Sequence, residues 1–136
     1  MKFSTKDRYA LRLMVELARS APDEFLPLKT ISARQQISLK YLEQIVTPLA
    51  RAGLVVSGRG SQGGYRLTVP ASEITAGDVL RAIEGEIVAV PCLSAEAEEC
   101  PRQSECHTLA FWTGLNDAIN NYIDHAPLSE LCGAHV

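Results

Sequence analysis

Cys92, Cys100 and Cys106 lie within fifteen residues of one another as C-x7-C-x5-C, and His107 follows the third directly. Thiolates bind soft and borderline metals and act as nucleophiles in redox chemistry, and imidazole ligates many of the same metals. The paired C-x2-C knuckles of structural zinc are absent. The spacing therefore leaves three readings open: a metal or cluster site, a set of reactive thiols, or packed cysteines. Cys132 is remote from the set and reads as a packed or surface thiol, while His125 and His135 carry no motif.

A second group of residues suits a different chemistry. Lys40, Tyr41, Glu43 and Gln44 follow Ser38, and residues 58–64 form a glycine-rich run containing Arg59. Glutamine pairs with adenine, glutamate accepts from cytosine N4, and lysine neutralises phosphate. Arginine suits a narrow minor groove, and glycines let a backbone approach the sugar-phosphate chain. A glycine-rich loop can also cradle a nucleotide, but no GK[ST] and helix follow this one. The plain alternative for 40–44 is a solvated helix face.

These residues need elements to hold them. Ser4 and Asp7 make a capping box for a first helix ending near Arg19, with Leu11, Met14, Val15 and Ala18 on one face. Pro27, Leu28 and Ile31 open a short helix running to about Gln35. Ser38 caps a third helix in which Leu42, Ile45, Val46 and Leu49 face inward and Lys40, Glu43 and Gln44 outward. Pro48 should kink that helix or end its regular part early, and Gly53 stops it. Strand-like runs at 54–57 and 65–69 make a hairpin around the glycine-rich tip. Two short helices, a tight turn and a hairpin form a winged helix-turn-helix, a DNA reader.

Further on, Thr75 and Asp78 cap a fourth helix closed by Gly85. An apolar run at 87–90 precedes an acidic loop from Pro91 to about Glu99. A last long helix is expected from about Ser104 to His125, stopped by Pro127, with a short turn at 128–131. Cys106 then falls near the helix start, where the dipole favours thiolate, and His107 lies about 100° around the helix from it. Leu109, Trp112, Asn116, Ile119, Ile123 and Ala126 recur at spacings of 3, 4, 3, 4 and 3. That seam fits a dimer interface or the chain's own core, and Asn116 within it could fix a register.

The fold class expected is mostly α with a small β-hairpin. Residues 1–70 form the winged module, 71–103 a linking helix and cysteine loop, and 104–136 a dimerisation helix and terminal turn. With 136 residues, 46% hydrophobic and 21% charged, a disordered chain is excluded. No apolar run spans a bilayer and no signal-peptide core follows Met1, so a cytoplasmic, reducing setting is expected. The net charge of -3 conceals an asymmetry: residues 1–70 carry 11 Lys and Arg against 5 Asp and Glu, and residues 71–136 carry 2 against 11. A basic half that meets a polyanion precedes an acidic half with another task.

Combined motifs make the chain similar to a known family. Ser4-Thr5-Lys6 with Arg8-Tyr9-Ala10-Leu11, Ile37-Ser38-Leu39 with Tyr41-Leu42-Glu43-Gln44, Ala52-Gly53-Leu54-Val55, and Arg59-Gly60 with Gly63-Gly64-Tyr65 carry the likeness. The chain resembles the IscR/NsrR/CymR-type family of bacterial winged-helix transcription regulators, and most of all its iron-sulfur members. The resemblance implies a homodimer on a near-palindromic DNA operator, a third helix in the major groove, and Arg59 in the minor groove. Ser38, Lys40, Tyr41, Glu43, Gln44, Arg59, Gly60, Ser61, Gln62, Gly63, Gly64 and Tyr65 are then the DNA-binding set. Leu109, Trp112, Asn116, Ile119 and Ile123 form the dimer interface.

The resemblance also implies an iron-sulfur cluster on Cys92, Cys100 and Cys106, [2Fe-2S] ahead of [4Fe-4S], with His107 a candidate fourth ligand. Two departures stand out. The first gap is longer than in the cluster-assembly regulator, and that protein's histidine ligand falls where this chain has Leu109. Some relatives borrow an acidic ligand from the partner's N-terminal segment, where Asp7 lies one residue out of register. The expected function is a non-enzymatic repressor whose operator affinity follows iron-sulfur, redox or nitric oxide status. The alternatives are a cluster-free regulator of the same fold, controlled by thiol oxidation or a metabolic-enzyme partner, and a zinc-stabilised interaction module.

Overall fold

The computed structural model describes residues 2–58, 60 and 63–133. Arg59, Ser61, Gln62 and His135 lie outside the described residues. Helix α1 (Thr5–Arg19) opens on the expected capping box: the Ser4 side chain accepts from Asp7 N, and the Asp7 side chain accepts from Ser4 N. Its buried face carries Ala10, Leu13, Met14 and Leu17. Helices α2 (Leu28–Gln35) and α3 (Leu39–Arg51) meet through a tight turn in which Gln36 takes the left-handed conformation at φ 55. Glu16, buried on α1, receives Gln35 Nε2 at 2.6 Å and Arg34 at 3.3 Å, which fixes α2 against α1.

Helix α3 runs through Pro48 to Arg51, so the proline does not end it early. One backbone donor is lost there, but Ile45, Val46 and Leu49 on the same turns are almost fully buried, and that burial outweighs a single hydrogen bond. Strands β1 (Val55–Ser57) and β2 (Tyr65–Leu67) pair antiparallel, Val55 opposite Leu67 and Ser57 opposite Tyr65, and are shorter than the runs that predict them. Leu26 bridges Tyr65 with two reciprocal backbone bonds of 2.9 and 3.0 Å, which seats the hairpin on the segment before α2.

Helix α4 (Ala76–Glu84) carries the second capping box, Thr75 with Asp78, and packs on α1 and α3. The last long helix, α5 (Leu109–Asp124), begins five residues later than expected. Residues 103–105 form a 3-10 turn and Cys106 is extended, so Ser104 and Glu105 belong to the cysteine loop rather than to the helix. The 128–131 segment is a short helix, α6 (Leu128–Gly133), rather than a turn, because Leu128 is fully buried under α1 and its N–H bonds Ile74 O at 2.8 Å. One buried cluster joins α1, α2, α3 and β1 with Ile74, Val79 and Leu128, drawing on both sides of Pro70. A second joins Ala76, Leu80, Ile87 and Ile123. Among the described residues no helix is long and apolar enough to cross a membrane.

Candidate nucleic-acid interface and cysteine recess

Helix α3 is the second helix of the helix-turn-helix, and its start is pinned by Ser38 Oγ, which accepts from Tyr41 N at 3.1 Å. Ser38 is thus the cap of this helix. With Leu42, Ile45, Val46 and Leu49 buried, helical geometry turns Lys40, Glu43 and Gln44 to solvent on the opposite face. Tyr41 is different: it is half-buried, edge-on to Tyr9 with ring centroids 5.5 Å apart, and Tyr9 in turn stacks under the Arg12 guanidinium. It positions the face more than it extends it.

Between α2, α3 and the hairpin lies an open groove of about 870 Å³, lined by Lys29 and Thr30 of α2, Glu43 and Thr47 of α3, and Gly64 and Tyr65. Sequence reasoning missed Lys29, Thr30 and Thr47. Lys29, exposed in the first turn of α2, was the one available signal. Gly64 has a structural duty: at φ +114, a Cβ there would sit 2.7 Å from the carbonyl of Leu26. Gly60 and Gly63 also have positive φ but face open space, so backbone conformation alone requires glycine at those two positions.

The acidic half brings the three expected cysteines to one recess of about 260 Å³, lined by Cys92, Ala97, Glu98, Glu99, Cys100, Gln103, Cys106 and Leu109. All three thiols are exposed. Cys92 sits in a 3-10 turn, residues 91–93. That loop is braced by Glu86, whose carboxylate accepts from Ser94 Oγ and from Ala95 N. The Ala95 N–H and the Ser94 hydroxyl hold Glu86 below the usual carboxylate range. Cys106 Sγ lies 3.5 Å from Thr108 Oγ1. The Thr108 hydroxyl and N–H lower the Cys106 thiol, with smaller help from the Leu109 N–H and from Arg102. The cause is local hydrogen bonding just ahead of α5, not a place within the helix.

His107 is exposed and is not among the residues lining the recess; it precedes the helix, so its bearing from Cys106 is not set by helical geometry. Among the described residues, no three His, Cys, Asp or Glu side chains converge closely enough to hold a metal ion as they stand. The donor chemistry nonetheless suits a thiophilic group, because three accessible sulfurs share one recess. Asp7 is 1% exposed and committed through Oδ2 to the α1 cap, and its proximity raises the neighbouring Glu84. Cys132 packs with Sγ 3.9 Å from Val15 O, and burial raises its thiol.

The α5 stripe read as a seam turns toward the chain's own body. Ile123 is buried in the second cluster with Ile119 packed against it, Leu109 and Trp112 are half-buried, and Asn116 Oδ1 accepts from Ala89 N at 2.8 Å. The opposite stripe is open: Phe111 is 63% exposed, Leu115 38% and Tyr122 76%.

A family model described as Rrf2, an iron-dependent transcriptional regulator, matches residues 3–134. The HTH-type transcriptional regulator IscR of Aliivibrio salmonicida is 40% identical over 131 residues, covering 96% of this chain and 77% of that protein. The HTH-type transcriptional regulator CymR of Bacillus subtilis is 41% identical over 131 residues, covering 96% of this chain and 89% of its own. The solved structure of CymR, described as the global cysteine regulator of B. subtilis, superposes with a TM-score of 0.81 at 38% identity, covering 100% of this chain and 99% of that one.

Proposed function

The chain belongs to the Rrf2 family of transcriptional regulators and is a DNA-binding regulator, not an enzyme; from that premise we propose that an iron-sulfur cluster held by Cys92, Cys100 and Cys106 sets its affinity for a near-palindromic operator. The observation that carries the reading is the recess of about 260 Å³ that these three thiols line together. When bound, such a group supplies redox sensitivity and lability toward oxidants. The chain's residues do the rest. The Thr108 hydrogen bonds favour thiolate at Cys106, Glu86 braces the Cys92 turn, and Lys40, Glu43, Gln44 and Arg59 engage the duplex. His107 is the candidate fourth ligand, available from its place before α5.

The regulator acts as a homodimer through the open face of α5. Phe111, Leu115, Ala118 and Tyr122 recur at spacings of 4, 3 and 4, the repeat by which one helix packs on a second. A two-fold axis there places the two α3 helices on half-sites a helical turn, or a multiple of one, apart. The setting is cytoplasmic.

A second reading keeps the DNA reader and dimer but makes the thiols themselves, or a metabolic-enzyme partner, the sensor. It is favoured by the separation of the three sulfurs and by the exposed Cys106, whose thiol is lowered by Thr108. The visible spectrum of anaerobically purified protein, with iron and acid-labile sulfide assayed on the same sample, decides between the two. A charge-transfer band with matching iron and sulfide supports the cluster, and its shape separates two-iron from four-iron types. A colourless protein that resists reconstitution moves the sensor to the thiols or the partner.

A further inference from the structure

Asn116 and Asn120 lie one turn apart on the inward face of α5, opposite residues 87–89, which lead directly to Cys92. That stretch is neither helix nor strand, so its backbone groups need partners from elsewhere. The two amides supply them. Asn116 Oδ1 accepts from Ala89 N at 2.8 Å, and Asn120 Nδ2 donates to Ile87 O at 3.1 Å and to Asn116 O at 2.9 Å. The remaining atom of the Asn120 amide reaches a third element: its Oδ1 accepts from Arg81 Nη2 of α4 at 2.8 Å. Arg81 also grips Asp124, with Nη1 2.5 Å from one carboxylate oxygen and Nη2 3.0 Å from the other.

The close approach of α4 and α5 at this clamp depends on Gly77. A Cβ there would lie 2.2 Å from Asp124 Oδ1 and 2.8 Å from Arg81 Nη1. Helix α4 in turn packs on α1 and on α3, the helix that presents Lys40, Glu43 and Gln44. Every hydrogen-bonding atom of the Asn120 side chain is thus engaged, one end on the segment entering the cysteine recess and the other on the helix that backs the DNA-binding module.

We propose that Asn120, acting with Arg81, is the positioning residue that transmits the placement of the cysteine segment to α4 and from there to the DNA-binding face. This rests on the reading that the state of the cysteines sets DNA affinity. The guanidinium fork fixes direction as well as distance, because it bonds two α5 residues one turn apart. A displacement of residues 87–89 must therefore either break the Asn120 contact or move Arg81 with it. Transmission of this kind is a coupling free energy between two sites, measurable as the dependence of one on the other.

Two conservative variants separate transmission from simple support. In Asn120→Asp the side chain still accepts from Arg81 but cannot donate to Ile87 O, whereas Asn116→Asp still accepts from Ala89 N. The full chain is compared with both variants, loaded by iron-sulfur reconstitution and stripped by chelation. Amide hydrogen exchange is read across the chain, together with affinity for a duplex selected from a random library by the wild-type protein. The expected result is that loading alters exchange over residues 87–106 and in α4 in the wild type and in Asn116→Asp. In Asn120→Asp the change stays within 87–106, and the ratio of loaded to stripped affinities falls to about one. An α4 response and an affinity ratio in Asn120→Asp equal to wild type would overturn the link, as would a wild-type α4 that never responds. A chain that takes up no iron refutes the cluster reading separately. Iodoacetamide alkylation of the recess cysteines in a Cys132→Ser background then replaces loading, and the same two exchange results decide the link.

Discussion

Thr108 is the main group holding the Cys106 thiol below its ordinary value. The thiol is exposed where it lines the recess, and its lowered titration comes first from the Thr108 hydroxyl, against a smaller opposing effect of burial. Thr108→Val should return the thiol toward its ordinary value. Iodoacetamide labelling of Cys106 then slows near neutral pH, and the midpoint of its pH–rate profile moves up; an unmoved midpoint would remove Thr108 as the cause. On the DNA face, Lys40 and Gln44 should separate cleanly. Lys40→Ala weakens binding to all duplexes alike and lowers the salt slope by about 1. Gln44→Ala costs about 1–3 kcal/mol of discrimination at one base pair and leaves the salt slope unchanged, as binding measured across salt and base substitutions would record. At this scale the cysteines and the outward residues of α3 were legible, because spacing and helical phase are local properties. Lys29, Thr30 and Thr47 were not, because the groove that unites them is assembled from two helices and a strand distant in sequence.

Helices were legible wherever a cap announced them. Ser4 with Asp7, Ser38, and Thr75 with Asp78 satisfy the free N–H groups of three helices, and all three helices begin where those residues predict. The start of α5 carries no such signal: the helix was expected from about Ser104, but the chain makes a 3-10 turn at 103–105, and Thr108, which precedes Leu109, makes no side-chain capping bond. Nor could the phase of α5 be assigned from sequence. Its inward stripe and the stripe of Phe111, Leu115, Ala118 and Tyr122 both repeat at three and four residues, and only the position of α4 and residues 87–89 shows which one the chain buries. Gly64 reads from sequence as a point where the backbone can approach DNA, and in the fold it also serves close packing of the hairpin. Gly64→Ala should destabilise the fold by about 1–3 kcal/mol from the left-handed φ alone, before the clash with the Leu26 carbonyl is added. A melting temperature equal to wild type would show that the hairpin is seated otherwise.

At the scale of the whole molecule, a basic half that reads DNA and an acidic half that carries the thiols are joined through α4, which shares one buried cluster with α3 and another with Ile87 and Ile123, so a change at the recess has a packed route to α3. The proposed homodimer needs two copies that meet at the exposed stripe of Phe111, Leu115 and Tyr122. Phe111→Glu with Tyr122→Glu should give a folded monomer in sedimentation velocity with operator affinity reduced at least tenfold, whereas a variant that stays dimeric would place the interface elsewhere. The central claim is that occupancy of the three-cysteine recess sets DNA affinity. Its most direct test is an anaerobic titration of one duplex with the same preparation before and after iron-sulfur loading, with Cys100→Ala run in parallel. The account predicts affinities that differ by about 5–150-fold, the usual range for coupling between two sites, and a Cys100→Ala protein that folds, takes up no cluster and shows no difference. Equal affinities for the loaded and stripped protein, or a Cys100→Ala variant that responds like wild type, would contradict it.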